Sequence, residues 1–268
     1  RVRTFQRAIF SPTTSSVDPI AVVNAMEVDA RSEGIVFHYE TEYLRHDKRS
    51  LQTNKGKFSP GYIVNAAGLY ADKVARDFGF SEKYRILPFK GIYLYSDETI
   101  NTIRTHIYPV PDLRNPFLGV HFTVTVDGKV KIGPTAIPAF WREQYRNFER
   151  FRFTELAEIV SRQIKLFSHS QFDFRRLAVQ ELRKYYRPHL ISLSKSLATC
   201  IDDKNYKRWG RPGIRAQLLN INDMKLEMDF VLEGDEKSFH VLNAVSPGFT
   251  CCIPFAQFVC GNISKILK

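Results

Sequence analysis

Tyr62-Ile63-Val64-Asn65-Ala66-Ala67-Gly68, continuing as Leu69-Tyr70-Ala71-Asp72-Lys73-Val74-Ala75-Arg76-Asp77-Phe78-Gly79, is the stretch on which the reading of this chain turns. Its first seven residues have the apolar density of a buried strand that runs into a glycine. Leu69 to Phe78 then reads as a helix stopped at Gly79. Small residues at a strand-to-helix turn let a ligand approach the backbone closely, and they equally suit tight packing of a helix on a sheet. The local pattern leaves both readings open.

Upstream, Asp18 before Pro19 is a helix start, because the carboxylate accepts from free N–H groups and proline has none to lose at the first helical position. A helix is predicted from Pro19 to about Glu33, with Val22, Val23, Ala25, Met26 and Val28 on one buried side and Gly34 ending it. Strands are expected at Ile35 to Tyr39, around Tyr43, and from Leu51 to Phe58.

Downstream, Arg85 to Thr135 is strand-rich, and Asp127-Gly128 predicts a hairpin pairing Val120 to Val126 with Lys129 to Gly133. Phe153 to Ile201 reads as two helices, the second interrupted by Pro188. Strands follow at Ile214 to Leu219, Phe230 to Leu232 and Phe239 to Asn243, and a helix from Pro247 to Leu267 closes the chain. The order gives an α+β class. Residues 1–80 and 211–268 are expected to form one layer, into which 81–210 are inserted as a second domain.

The 268 residues, 44% hydrophobic and 25% charged, can bury a core in one large domain or two small ones, which excludes disorder and collagen-like repetition. Every apolar run is broken well before the roughly 18 residues that a membrane-spanning helix needs. A net charge of +11 favours an anionic partner: nucleic acid, an acidic membrane surface or a small multiply charged ligand. The basic residues, among them Arg142, Arg146, Arg150, Arg152, Arg175, Arg176 and Arg183, lie scattered along amphipathic stretches. A solvated helix face accounts for most of them, and with no nucleic-acid motif beside the charge, a nucleic-acid partner is not expected. Cys200, Cys251, Cys252 and Cys260 form no C-x-x-C pair and have no histidine at metal-ligand spacing, so no metal site is expected. They read as buried core residues in a reducing compartment. A cytoplasmic location is expected from these cysteines, with peripheral contact with a membrane left open.

Several stretches taken together resemble the L-2-hydroxyglutarate dehydrogenase (oxidase) family, within the D-amino-acid-oxidase-like flavoproteins. They are Val64 to Asp72, Pro88-Phe89-Lys90-Gly91, Ile107-Tyr108-Pro109-Val110-Pro111-Asp112 and Phe117-Leu118-Gly119-Val120-His121-Phe122-Thr123. Asp127-Gly128 with Gly133-Pro134-Thr135-Ala136, Gly213-Ile214-Arg215-Ala216-Gln217, and Asn243-Ala244-Val245-Ser246-Pro247 follow in the same order. The resemblance implies a D-amino-acid-oxidase-like fold and an FAD enzyme. Such an enzyme oxidises the C2 hydroxyl of L-2-hydroxyglutarate, or a similar 2-hydroxy acid, to the 2-oxo acid and passes electrons to a quinone or oxygen. That family begins with a strand, a G-x-G-x-x-G loop and a helix, followed by a histidine-bearing flavin loop. This chain contains no G-x-G, so an N-terminal FAD-binding segment is expected to be missing from it.

The dicarboxylate substrate implied by the resemblance needs fixed positive charge, which Arg215 on a predicted strand can supply bidentately. Loss of the hydroxyl proton points to His121, as base or as a group that orients substrate. On the cofactor side the resemblance implies that Ser246, Pro247, Gly248 and Thr250 approach the isoalloxazine. It places Ala67 and Gly68 at the nucleotide part and the Thr41 backbone at the adenine. Ser246 as cap and Pro247 at the first helical position would also aim a helix N-terminus at the flavin's anionic edge. Lys90 and Ile92 stand where the family has arginine and glutamate, and Val245, Phe249 and Cys251-Cys252 depart from its flavin loop. A non-catalytic remnant that binds acidic partners, and an amine or amino-acid oxidase of the same flavin group, are the alternative readings.

Overall fold

The computed structural model describes residues 2–47, 50–97, 103–111, 117–169, 174–199, 201–244 and 248–268. In chain order the first elements are α1 (Pro19–Ser32), β1 (Tyr43–Asp47), β2 (Ser50–Thr53), β3 (Gly56–Phe58), β4 (Ile63–Asn65), α2 (Ala71–Asp77), β5 (Tyr84–Gly91), β6 (Leu94–Ser96), β7 (His121–Val124), β8 (Val130–Gly133) and β9 (Ile137–Pro138). They are followed by α3 (Phe153–His169), α4 (Phe174–Arg183), α5 (Arg187–Lys195), β10 (Tyr206–Trp209), β11 (Gly213–Asn220), β12 (Lys225–Leu226), β13 (Val231–Gly234), β14 (Ser238–Asn243) and α6 (Cys252–Ile266). Helices and mostly antiparallel sheets segregate as an α+β protein should.

The chain divides into two compact units: residues 1–38, 90–137 and 176–213, and residues 39–89, 138–175 and 214–268. In the first unit a four-stranded sheet runs in the order β10-β6-β8-β7. Asp127-Gly128 turns β7 into β8, with Gly128 at φ +76 and Val124 facing Val130. One face of this sheet, with Leu94, Phe122, Val130, Ile132 and Tyr206, is buried on Leu190 and Ile191 of α5. The second unit holds a three-stranded sheet β13-β14-β4, in which β14 pairs with β4 in parallel, and a core of Ala71, Ala75, Tyr84, Ile86, Leu218 and Leu242. Here the strand, turn and helix anticipated from Tyr62 onward are β4, a 3₁₀ turn at Gly68–Tyr70, and α2, closed by Gly79 at φ +84.

Helix α1 forms as its cap chemistry requires: Asp18 accepts from the N–H groups of Ile20 and Ala21, and Gly34 takes φ +83. Its apolar side, however, is not buried, and Val23 and Val28 are exposed. Apolar spacing defines a face without specifying what covers it. Ile35 to Tyr39 is not a strand, since these residues pair with no ladder among the described residues. The single strand expected over Leu51 to Phe58 is a hairpin, β2–β3, turning at Asn54-Lys55 with Gly56 at φ +123. Among the described residues between Phe153 and Ile201 there are three helices, and Pro188 sits in the first turn of α5, where no intrahelical N–H is required.

The last helix starts at Cys252, with Cys251 as its cap residue, later than the start expected near Pro247. The cause is Pro254. In a helix beginning at Pro247 that proline would lie in the interior and remove a bond, whereas from Cys252 it falls within the first turn. Cys251 and Cys252 are half-buried and Cys260 is exposed, all three as free thiols, contrary to the expected core positions. Val259 is the buried residue of α6, while Ile253 and Phe258 are exposed. Cys200 lies outside the described residues. No helix among the described residues is long and apolar enough to cross a membrane.

Candidate active site

Two places, one in each unit, collect the residues singled out by sequence. In the second unit a cavity of about 460 Å³ is lined by Ala66, Gly68, Arg215, Ala216, Ala244 and Phe255, among others. Its floor is the turn after β4. Asn65 accepts the Ala67 N–H at 3.1 Å and donates to the Ala71 carbonyl at 2.9 Å, which fixes the turn from both sides. Gly68 has φ +53, and a β-carbon there would meet nothing within 4 Å, so the backbone is bare toward open space. Arg215 comes from β11 and is half-buried; burial pushes its guanidinium below the ordinary arginine range. Phe255 of α6 lines the same cavity.

The other predicted cofactor residues are spread around this unit. Thr41 is half-buried just before β1, its hydroxyl donating to the Tyr39 carbonyl at 3.1 Å. Gly248 and Thr250 occupy the turn leading into α6, whereas Ser246 and Pro247 lie outside the described residues. A second hollow, of about 560 Å³, is formed by Gly79 to Lys83, Asn222 and Glu233 and contains none of the predicted residues.

The walls of the 460 Å³ cavity fit part of a flavin dinucleotide. Ala66, Gly68, Ala216 and Ala244 in the lining leave room for a flat ring or a phosphate bridge, the bare backbone at Gly68 lets it come close, and Arg215 supplies positive charge.

In the first unit His121 is 4% exposed at the start of β7. Its Nδ1 is 2.9 Å from the Gly119 carbonyl, which can only accept, so Nδ1 carries the hydrogen and Nε2 keeps a free lone pair. Burial pushes its pKa below the ordinary imidazole value; the Gly119 bond opposes this, and Lys131, His106 and Lys184 add to the lowering. The imidazole is therefore neutral at pH 7.

Strand register defines its surroundings. Thr123 faces Lys131 across β7–β8, and Tyr95 faces Lys131 across β6–β8, so these side chains share the sheet face opposite the α5 core. His121 stacks on Tyr108 with ring centroids 4.3 Å apart and meets the edge of Tyr93 at 6.4 Å. Tyr93 was not foreseen as a site residue, although its two-residue spacing from Tyr95 is a readable strand signal. Burial and the neighbouring phenols of Tyr108 and Tyr95 push the Tyr93 hydroxyl up to about 12. Lys90 is half-buried at the end of β5 and is also lowered by burial.

With this geometry in hand, the chain can be set beside known proteins. It is 36% identical over 213 residues to an L-2-hydroxyglutarate dehydrogenase of Indibacter alkaliphilus, covering 78% of this chain and 52% of that protein. A mitochondrial L-2-hydroxyglutarate dehydrogenase of Nematostella vectensis is 33% identical over 288 residues, covering 96% and 61%. The chain thus spans between about half and three fifths of the length of these curated relatives. Among solved structures, the L-alpha-glycerophosphate oxidase of Mycoplasma pneumoniae with FAD bound superposes with a TM-score of 0.59 at 17% identity, over 94% of this chain and 56% of that one. At that identity the likeness is one of fold. The family model of the FAD dependent oxidoreductases matches residues 2–260, so from Val2 through the greater part of α6 the chain belongs to the FAD dependent oxidoreductase (DAO) family.

Proposed function

We propose that a protein containing this chain carries out the FAD-dependent oxidation of L-2-hydroxyglutarate, or a similar 2-hydroxy acid, to 2-oxoglutarate, with electrons passed to a quinone or oxygen. The observation that carries this reading is that Gly68 and Arg215, chosen separately from sequence, line one cavity. The similarity to the two dehydrogenases supports the choice of substrate. In this reading residues 1–80 and 211–268 contribute the remainder of the FAD layer, and 81–210 the substrate domain.

The division of labour among residues follows from their chemistry. Ala67 and Gly68 offer bare backbone to the nucleotide, Thr41 lies at the adenine, and Gly248 and Thr250 precede the helix start that favours negative charge. Ser246 and Pro247 are assigned to the same flavin edge. Arg215 holds a substrate carboxylate through paired, charge-assisted N–H donors. His121 accepts the C2 hydroxyl proton at Nε2, or orients that hydroxyl while the proton leaves to water. When bound, FAD would supply a two-electron acceptor for the C2 hydrogen and its electron pair. A quinone acceptor would bring the enzyme to a membrane surface, which the +11 charge suits by attraction to anionic lipid.

The test is to purify the protein that contains this chain, record its visible spectrum, and follow reduction of an artificial dye acceptor. Flavin absorbance with turnover of L-2-hydroxyglutarate, but not of its D enantiomer or of glycine, is the expected result. A colourless protein, or turnover of amines alone, would overturn the reading.

A further inference from the structure

The sheet face that carries His121 holds a cation, Lys131, with no counter-ion among the described residues. Lys131 projects from β8 beside Thr123 and Tyr95. Its ammonium lies 4.3 Å from the ring centroid of Tyr93 and 5.9 Å from that of Tyr95. No carboxylate pairs with it and no carbonyl or hydroxyl accepts from it among the described residues; its contacts are these two aromatic faces. Arg208 continues the positive character beside Tyr95, at 6.0 Å from its ring. The groups gathered here are therefore aromatic, cationic or neutral imidazole, and Tyr93, Tyr95, Lys131, His121 and Tyr108 include no acid.

Such an arrangement is poor for stability alone. A half-buried ammonium loses hydration, and burial indeed lowers the Lys131 pKa, while two phenol faces return only part of the lost interaction. A methionine or leucine would fill the same gap without that cost. What the lysine adds is three N–H donors and a positive charge, set against the faces of two rings. Tyr93 touches both groups, with its ring edge toward His121 and its face under Lys131, so a single aromatic ring separates the imidazole from the ammonium. In a five-carbon hydroxydiacid, two methylenes separate the hydroxyl carbon from the far carboxylate, so the two ends call for a proton acceptor and a cation set apart.

We propose that Lys131, flanked by Tyr93 and Tyr95, is the specificity residue that binds the distal carboxylate of a five-carbon hydroxydiacid whose hydroxyl is presented to His121. This rests on the reading of the chain as part of a 2-hydroxy-acid oxidising enzyme. It goes beyond that reading by assigning the selection of a diacid over a monoacid to one residue.

The test compares L-2-hydroxyglutarate with L-2-hydroxyvalerate, which keeps the five carbons and replaces the far carboxylate by a methyl group. In the protein containing this chain, Lys131→Met should lower the ratio of kcat/KM for the diacid to that for the monoacid by about 10- to 100-fold. Lys131→Arg should keep most of the preference. A ratio unmoved in Lys131→Met overturns the inference and leaves the dehydrogenase reading intact. Glutarate and pentanoate binding by calorimetry is the second arm, and it needs no turnover. Loss of the glutarate preference in Lys131→Met, or in Lys131→Gln if the methionine variant does not fold, supports the subsite. A preference retained in a folded variant overturns it. Should the wild type oxidise neither acid, the dehydrogenase reading fails, and calorimetry alone decides whether Lys131 is a dicarboxylate site.

Discussion

Asn65 and His240, 175 residues apart, meet inside the second unit with 3.1 Å between Nδ2 and Nδ1. The Asn65 amide donates, because its oxygen already accepts from the Ala67 N–H. His240 Nδ1 is therefore the acceptor, and Nε2 carries the hydrogen that reaches Ser238 Oγ at 3.0 Å. Phe78 and Phe80 pack against the ring, with centroids 5.2 and 4.8 Å away. The pair thus links the parallel strands β4 and β14 and holds the turn whose backbone lines the candidate cofactor cavity.

This network requires a neutral imidazole, and its pH dependence has a definite sign. Burial lowers the His240 pKa to about 4, against a weaker opposing pull from Asp235. The unfolded chain protonates this histidine near pH 6.5, so between that value and about 4 the unfolded state binds the extra proton. Stability is then lost as pH falls through this window, by up to about 3 kcal/mol in total. Urea midpoints at pH 7.5, 6.5, 5.5 and 4.5 should fall steadily in the wild type. The slope between pH 6.5 and 5.5 should flatten in His240→Gln, which has nothing to protonate.

Arg142 and Asp72 form a second buried device, with neither side chain exposed. The fork makes bonds of 2.7 and 3.0 Å, and Arg142 also donates to the Leu69 carbonyl, while the same carboxylate accepts the Ile86 N–H at 3.1 Å. Removing one partner strands a buried charge, so Arg142→Met and Asp72→Leu should each destabilise by about 3–5 kcal/mol in urea unfolding. Arg142→Lys should recover only part of that, because one ammonium cannot fill a two-pronged site. The double variant Arg142→Met/Asp72→Leu should lose less than the sum of its parts, since each single change leaves an orphan that the double change removes.

How far the sequence could be read depended on the range of the chemistry involved. Asp18-Pro19 with Gly34, and Asp127-Gly128 between β7 and β8, were legible because caps and hairpin turns are made by residues a few positions apart. Gly68 and Arg215 were legible as candidates from motif likeness, but only the fold shows that they line one cavity. Proline misled in two places: Pro188 and Pro254 begin helices, and a period-based reading treats such residues as interruptions or ignores them. The Asn65–His240 bond, the Arg142–Asp72 fork and the lack of a counter-ion for Lys131 among the described residues have no local signature at all. Each depends on which strands become neighbours.

Gly68 gives a test of the cavity independent of catalysis. At φ +53 a side chain costs about 1–2 kcal/mol of backbone strain, although the space beside it is open. Gly68→Ala should therefore fold with a modest loss, measurable as a fall in urea midpoint. Gly68→Val, with a branched side chain projecting into the cavity, should lower flavin retention further than its effect on folding explains. The ratio of flavin absorbance to protein absorbance after gel filtration would show this. Equal retention in Gly68→Val and the wild type would separate the cavity from the cofactor.

His121 supplies the corresponding test of chemistry. Its pKa is lowered mainly by burial, and the Gly119 bond reserves Nε2 as the acceptor, so the basic form persists to a pH below the ordinary imidazole value of about 6.5. If Nε2 takes the hydroxyl proton, kcat/KM should be flat near pH 7 and fall by tenfold per unit only below that value. His121→Gln, which can hydrogen-bond a hydroxyl but cannot accept its proton, should then lose about 10²–10⁴-fold in kcat and with it the acid limb of the profile. A loss confined to KM, with the acid limb retained, would instead give His121 the role of orienting the hydroxyl. The proton would then leave through another group, and Lys131→Met examined over the same pH range would still report on the far carboxylate.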